Sequence, residues 1–222
     1  MRYAFVVVAL SLTSLSAQAS DEARRISDSI IVLDEIMAAA DQSVPRSILE
    51  KAVGVAVFPS LLKGGFVVGG KRGKGILSVR DQQTGLWSAP AFLTITGGSI
   101  GAQIGAQAID LVLVVNNDRG LEQLVKNQFK VGAEAGVAAG PVGREAAAAT
   151  DIQMRAQILS YSRARGLFAG ITLNGATIRQ DRDANERFYG TAYRTGQIVF
   201  EGLAGAPQSA VAWKETLAKY AK

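Results

Sequence analysis

The 24 glycines of this 222-residue chain all lie between Gly54 and Gly205, which divides it into a glycine-free helical head and a glycine-punctuated body. Interior glycines in strands mark bulges, corners and close backbone approaches. Between them run short β-branched and aliphatic segments, Val53 to Phe58, Gly65 to Gly69, Lys74 to Arg80, Ala91 to Thr96 and Ile109 to Val115. Short strands at this spacing predict a strongly bent sheet or barrel. Farther on, Phe129, Val131, Ala133 and Ala135 alternate, and Gln157 to Tyr161 with Leu167 to Leu173 read as an antiparallel pair joined through Arg163 to Gly166. The expected class is α+β: a mostly antiparallel, barrel-like core with about three to five surface helices and projecting flexible loops.

The helices have their own signals. From Asp21 to Ala40, Ile26, Ile30, Leu33 and Met37 recur at helical spacing behind Asp21 and Glu22, which suit a helix N-terminus. Pro45 opens a shorter helix through Ile48 and Leu49. Asp118 is expected to cap a helix carrying Leu121, Leu124 and Val125, and Asp181 to Tyr189 and Ser209 to Tyr220 complete the set, with Ser209 as the last cap. The run from Gly97 to Val115 has glycines at membrane-helix spacing, but Gln103, Gln107 and Asp110 interrupt it and Ile109, Leu111, Leu113 and Val115 alternate, so it reads as buried strands.

Residues 1–19 hold Arg2, an apolar run from Tyr3 to Leu15 and then Ala17-Gln18-Ala19, the features of a cleavable secretory leader. Residues 20–222 are expected to form one domain, with its core at about 45–202, an N-terminal helix at 21–40 and a C-terminal helix at 209–221. Periplasmic or secreted localisation follows.

Cysteine and histidine are both absent, so there is no disulfide framework, no Ser-His-Asp or Cys-His nucleophile system and no zinc site of the common kinds. No cofactor or metal is expected. Gly73-Lys74-Gly75 lacks the hydroxyl of a nucleotide phosphate loop, and Gly97 to Gly101 has the wrong spacing for a dinucleotide fingerprint. A hydrolase using carboxylates alone would have to draw on Asp110, Glu145 and Asp151, and Asp110, inside an apolar strand, reads as structural.

The net charge of +5 matters only where it is clustered. Within Phe58 to Pro90, Lys63, Lys71, Arg72 and Lys74 arrive before any acidic residue, and Gly69 to Gly75 has the glycines of a hairpin connection, so these cations are expected on one loop. Arg163 and Arg165, between Tyr161 and Phe168, are expected on a second turn. There they either contact anions or pair with Asp181, Asp183 or Glu186. An anionic membrane surface fits this pattern better than nucleic acid.

Several blocks, FPSLLKGGFVVGGKRGKGILSVRD, LWSAPAF, GGSIGAQIGAQAIDLVLVVNN, AAGPVGREA, SYSRARGLFAGITLNG and DANERFYG, occur in an order that resembles the SYLF domain family over roughly Pro45 to Gly202. The resemblance implies a β-barrel core with surface helices and binding of phosphoinositide or other anionic headgroups. Eukaryotic members also bind and bundle actin, which is not expected of an exported chain. The expectation is therefore a non-enzymatic envelope protein that binds anionic phospholipid through Lys63, Lys71, Arg72, Lys74, Arg163 and Arg165. The alternative is an envelope protein that holds an apolar ligand or an unidentified protein partner.

Overall fold

The computed structural model describes residues 3–39, 43–66, 68–100, 105–132, 136–143, 156–164, 167–168 and 173–221, and side chains from Asp21 onward except those of 65, 66, 68, 99, 100, 105, 106, 167 and 168. Two helices, α1 (Tyr3–Ala38) and α2 (Arg46–Lys51), precede four long strands, β1 (Gly54–Phe66), β2 (Val68–Val79), β3 (Ala91–Ile100) and β4 (Gly105–Val115). Then come α3 (Asp118–Val125) and the short strands β5 (Gln128–Lys130), β6 (Val137–Ala139), β7 (Ile158–Ala164), β8 (Leu167–Phe168) and β9 (Thr177–Gln180). The chain closes with α4 (Arg182–Tyr189), α5 (Thr195–Val199) and α6 (Gln208–Tyr220).

The strands form one sheet in the order β5-β9-β3-β2-β1-β4-β7-β6, with β8 on β7. Every described pairing is antiparallel except β6 with β7. The sheet curls into a half-barrel, so the α+β class holds. Its inner face packs Phe58, Leu61, Leu77, Leu93, Ile95 and Leu113 against Leu121 and Leu124 of α3 and Ile198 of α5. The outer face packs Val55, Val57, Ile76, Phe92 and Val112 against Ile26 and Leu33 of α1 and Trp213 of α6. Cover on both faces explains why the central strands read as unbroken apolar runs.

Polar pairs fasten α1 to this outer layer. Glu22 receives two hydrogen bonds from Arg187 of α4, Arg25 meets Asp181 at 3.1 Å, Glu35 pairs with Arg163 of β7, and Asp34 pairs with Lys219 and Tyr220 of α6.

The expected hairpin connection at Gly69 to Gly75 is instead continuous strand. β1 and β2 stay in register from Leu62↔Arg72 to Phe66↔Val68, so Gly69 to Gly75 lies within the paired strand. The described glycines with positive φ are Gly85, Gly132, Gly143, Gly175, Gly190 and Gly202, none of them in that stretch. Close packing is what requires the glycines there: a Cβ on Gly73 would stand 2.8 Å from Leu61 Cδ1, and one on Gly75 2.5 Å from Phe58 Cδ1.

Smaller differences have local causes. Asn117, not Asp118, caps α3 by accepting from Gly120 N–H, and α6 starts after Pro207 with no side-chain cap, placing Ser209 inside it. Asp181 caps α4 by accepting from Ala184 N–H. The described helices number six because α5, only five residues long and carrying one glycine, left no periodic signal. The segment read as β-rich around Gly97 to Val115 is strand on both sides of residues 101–104, which are not described.

Candidate anion-binding face

β9 covers β3 only from Leu93 to Thr96, and β7 covers β4 only from Asp110 to Val115. Beyond them β3, β2, β1 and β4 continue as a four-stranded extension that holds Lys63 and Lys71, while Arg72 and Lys74 lie level with β9.

A bulge in β1 decides which way Leu62 and Lys63 face, whereas β2 alternates without interruption and turns Arg72 and Lys74 out and Lys71 in. Register shifts between Phe58 and Leu61, so both of these residues point into the inner core and Leu62 points out. Ser60 at the bulge adopts φ 53, and its N–H donates to Asp110 Oδ1 at 3.0 Å. An extra residue in one strand resets the in/out alternation of everything after it.

Two rows result on the outer face. One runs Lys130–Thr177–Thr96–Arg72–Leu62–Ala108 across β5, β9, β3, β2, β1 and β4, and the next runs Gln128–Arg179–Thr94–Lys74. Arg72, Lys74, Arg179 and Lys130 are exposed, and none forms an ion pair with a described residue. Leu62, 60% exposed, stands directly across from Arg72. Successive outward side chains along a strand lie about 7 Å apart and neighbouring strands about 4.8 Å apart, so the rows present a flat cationic grid.

The remaining expected site residues lie elsewhere. Lys63 and Lys71 face each other on the inner side, where Lys71 is 6% exposed with its Cε 3.0 Å from the Cβ position of Gly97. Burial, reinforced by the Lys63 charge, lowers the Lys71 pKa. Arg163 sits in β7 rather than in a turn, opposite Asp110 and paired with Glu35, and not with Asp181, Asp183 or Glu186. Arg165, Glu145 and Asp151 lie outside the described residues.

Arg179 and Lys130 escaped the sequence reading because each is an isolated cation in a short polar stretch. The available signal was alternation: Arg179 follows buried Ile178 in TIRQ, and Lys130 follows buried Phe129 in QFK.

A family model described as Ysc84, Las17-binding protein actin regulator, matches residues 96–220. The chain belongs to this family, the SYLF or Ysc84 family. It is similar to protein YSC84 of Saccharomyces cerevisiae, 33% identical over 174 residues that cover 77% of this chain and 36% of the yeast protein. It is also similar to the SH3 domain-containing YSC84-like protein 1 of Rattus norvegicus (36% identity, 72% of this chain, 47% of the rat protein) and of Homo sapiens (35%, 72% and 46%). The SYLF-type chain thus spans less than half the length of these relatives.

Proposed function

We propose that this chain is a non-enzymatic binding module that attaches to anionic phospholipid surfaces through the outer face of its sheet where β5, β9, β3, β2 and β1 run side by side. The observation that carries this reading is the pair of cross-strand rows in which Arg72, Lys74, Arg179 and Lys130 stand exposed, with no ion pair among the described residues, beside Leu62. Each basic residue near an anionic leaflet contributes about 1 kcal/mol, and the exposed leucine adds apolar contact at the interface. Relative to the sequence expectation, Arg72 and Lys74 are retained, Arg179 and Lys130 join them, and Lys63, Lys71 and Arg163 leave. With residues 1–19 acting as an export leader, the surface reached would be that of the cell envelope.

A protein partner is the second reading. It is favoured by the description of the family as a Las17-binding actin regulator and by the name of a yeast relative, LAS seventeen-binding protein 3.

Co-sedimentation with phosphatidylglycerol, cardiolipin, phosphoinositide and neutral phosphatidylcholine vesicles at low and high salt tests the proposal. Binding restricted to anionic vesicles, weakened by salt and lost on Arg72→Glu/Lys74→Glu, is the expected result. Equal binding to neutral vesicles, or anionic binding untouched by the double reversal, would overturn it.

A further inference from the structure

We propose that the cleft between α3, β5, β9 and α5 binds a monoanionic carboxylate carried on an apolar body. The cleft encloses about 450 Å³, a volume suited to a ligand the size of an amino acid or dipeptide. It involves the α5 side of the sheet, where Ile198 and Val199 pack on the inner core, and shares no residue with the cationic rows.

The amides that line it have their oxygens engaged. Gln180 donates to Val125 O at 2.9 Å and accepts from Thr195 N–H at 3.2 Å, which fixes it as a floor. Gln197 Oε1 accepts from Arg194 N–H at 2.9 Å, and Asn127 Oδ1 accepts from Arg182 at 2.7 Å. The side-chain NH₂ groups of Asn127 and Gln197 are left to donate, so the hydrogen-bonding capacity of the cleft is that of an anion receptor.

Charge agrees. Lys126 and Arg194 line the cleft, and neither forms an ion pair with a described residue. Glu201 lines it as well, so the local sum is +1 and a second negative charge on the ligand would meet a carboxylate. Arg194 supplies the planar fork that matches a carboxylate.

Two exposed apolar residues adjoin the lining. Phe200 is 55% exposed, and its ring reaches 3.8 Å from the Cβ position of Gly196, which lines the cleft. Leu203, 51% exposed, is tied to the same wall by its N–H to Gln197 O at 3.3 Å. A ligand with its carboxylate at Arg194 and an apolar group on Phe200 and Leu203 satisfies both halves. Such a group occurs on a free N-acylated amino acid and at the C-terminus of a peptide.

Calorimetric titration of the full chain with N-acetyl-L-phenylalanine, with its C-terminal amide and with the peptide Ala-Ala-Ala-Phe as free acid tests this. The acid is expected to bind in the millimolar range and the amide at least tenfold more weakly, because the charge-assisted contact is lost. Arg194→Gln should weaken the acid by a similar factor, Phe200→Ser should weaken acid and amide alike, and Glu201→Gln should admit phenyl phosphate. Peptide binding equal to that of the small acid marks a chain terminus as the source, and peptide exclusion marks a free small molecule. Equal binding of acid and amide, no binding of either, or unchanged affinity in Arg194→Gln with an unaltered melting curve would overturn the proposal.

Discussion

Asp110 Oδ1 accepts the backbone N–H of Ser60 at 3.0 Å across the β1–β4 pair, at the one described non-glycine residue with positive φ. This carboxylate, whose place inside an apolar strand reads as structural, holds the bulge that turns Leu62 outward and Lys63 inward. Asp110→Ala should destabilise the domain by about 1–2 kcal/mol. Ser60→Gly should leave stability unchanged or raise it, since glycine adopts positive φ without strain. Urea denaturation of the two variants reads both effects, and equal losses would contradict this role.

Glycines 75 and 98 are both in extended strands, yet a Cβ meets the Val57 carbonyl and the Phe58 ring at the first and nothing within 4 Å at the second. Overpacking against backbone and a core ring costs about 1–3 kcal/mol or more. Gly75→Ala should fall in that range, and Gly98→Ala should stay within about 0.5 kcal/mol of the parent in the same denaturation experiment.

Arg187 shields a carboxylate, Glu22, that is 1% exposed. Arg187→Ala would leave that charge buried and unpaired, at a cost of about 3–5 kcal/mol. Arg24→Ala, removing an exposed pair with Asp21, should change stability by under about 0.5 kcal/mol. Thermal melts of the two variants separate these outcomes.

Burial acts to raise the Asp34 pKa, but the hydrogen bonds from Tyr220 and Lys219 outweigh it and leave the group below its ordinary 3.8. A carboxyl with a depressed folded pKa adds stability above its unfolded value and loses it as pH falls through the folded one. The parent should therefore lose stability below about pH 4 more steeply than Asp34→Asn, which forgoes that increment at neutral pH. Denaturation midpoints from acid to neutral pH give the comparison.

Like charges directly opposite in an antiparallel pair repel, and Lys63 and Lys71 are so placed on the inner face. Lys63→Gln should raise the melting temperature slightly and leave vesicle binding intact, whereas Arg72→Gln should reduce vesicle binding. If Lys63→Gln impairs binding as much as Arg72→Gln, the outer-face assignment fails.

What the sequence made legible follows from which signals are local. The alternation of Ile109, Leu111, Leu113 and Val115 and the period of Ile26, Ile30 and Leu33 are written within single elements, and they located β4 and α1. Lys71 and Arg72 point to opposite faces by the plain alternation of β2, but among so many glycines the stretch reads as a turn and its cations as one cluster; the matching orientation of Leu62 and Lys63 depends on a β1 bulge held by Asp110, 50 residues away from Ser60. Gly73 and Gly75 misled for the same reason, because a glycine needed under Phe58 looks in sequence like a glycine needed in a turn. Arg179 reaches the cationic rows only through the β3–β9 pairing, which nothing near it announces.

The polar clasps of α1 also bear on the order of assembly. Its partners Arg163, Asp181, Arg187, Lys219 and Tyr220 lie 128 to 186 positions later in the chain. A ribosome emits the helix long before any of them exists, so the first segment made is among the last to seat. Until then β1 and β2 can already cover its apolar side, but Glu22, Asp34 and Glu35 wait for the partners that neutralise them. The last turn of α6 thus settles a charge 185 and 186 positions upstream, and cutting it away should loosen the far end of the chain.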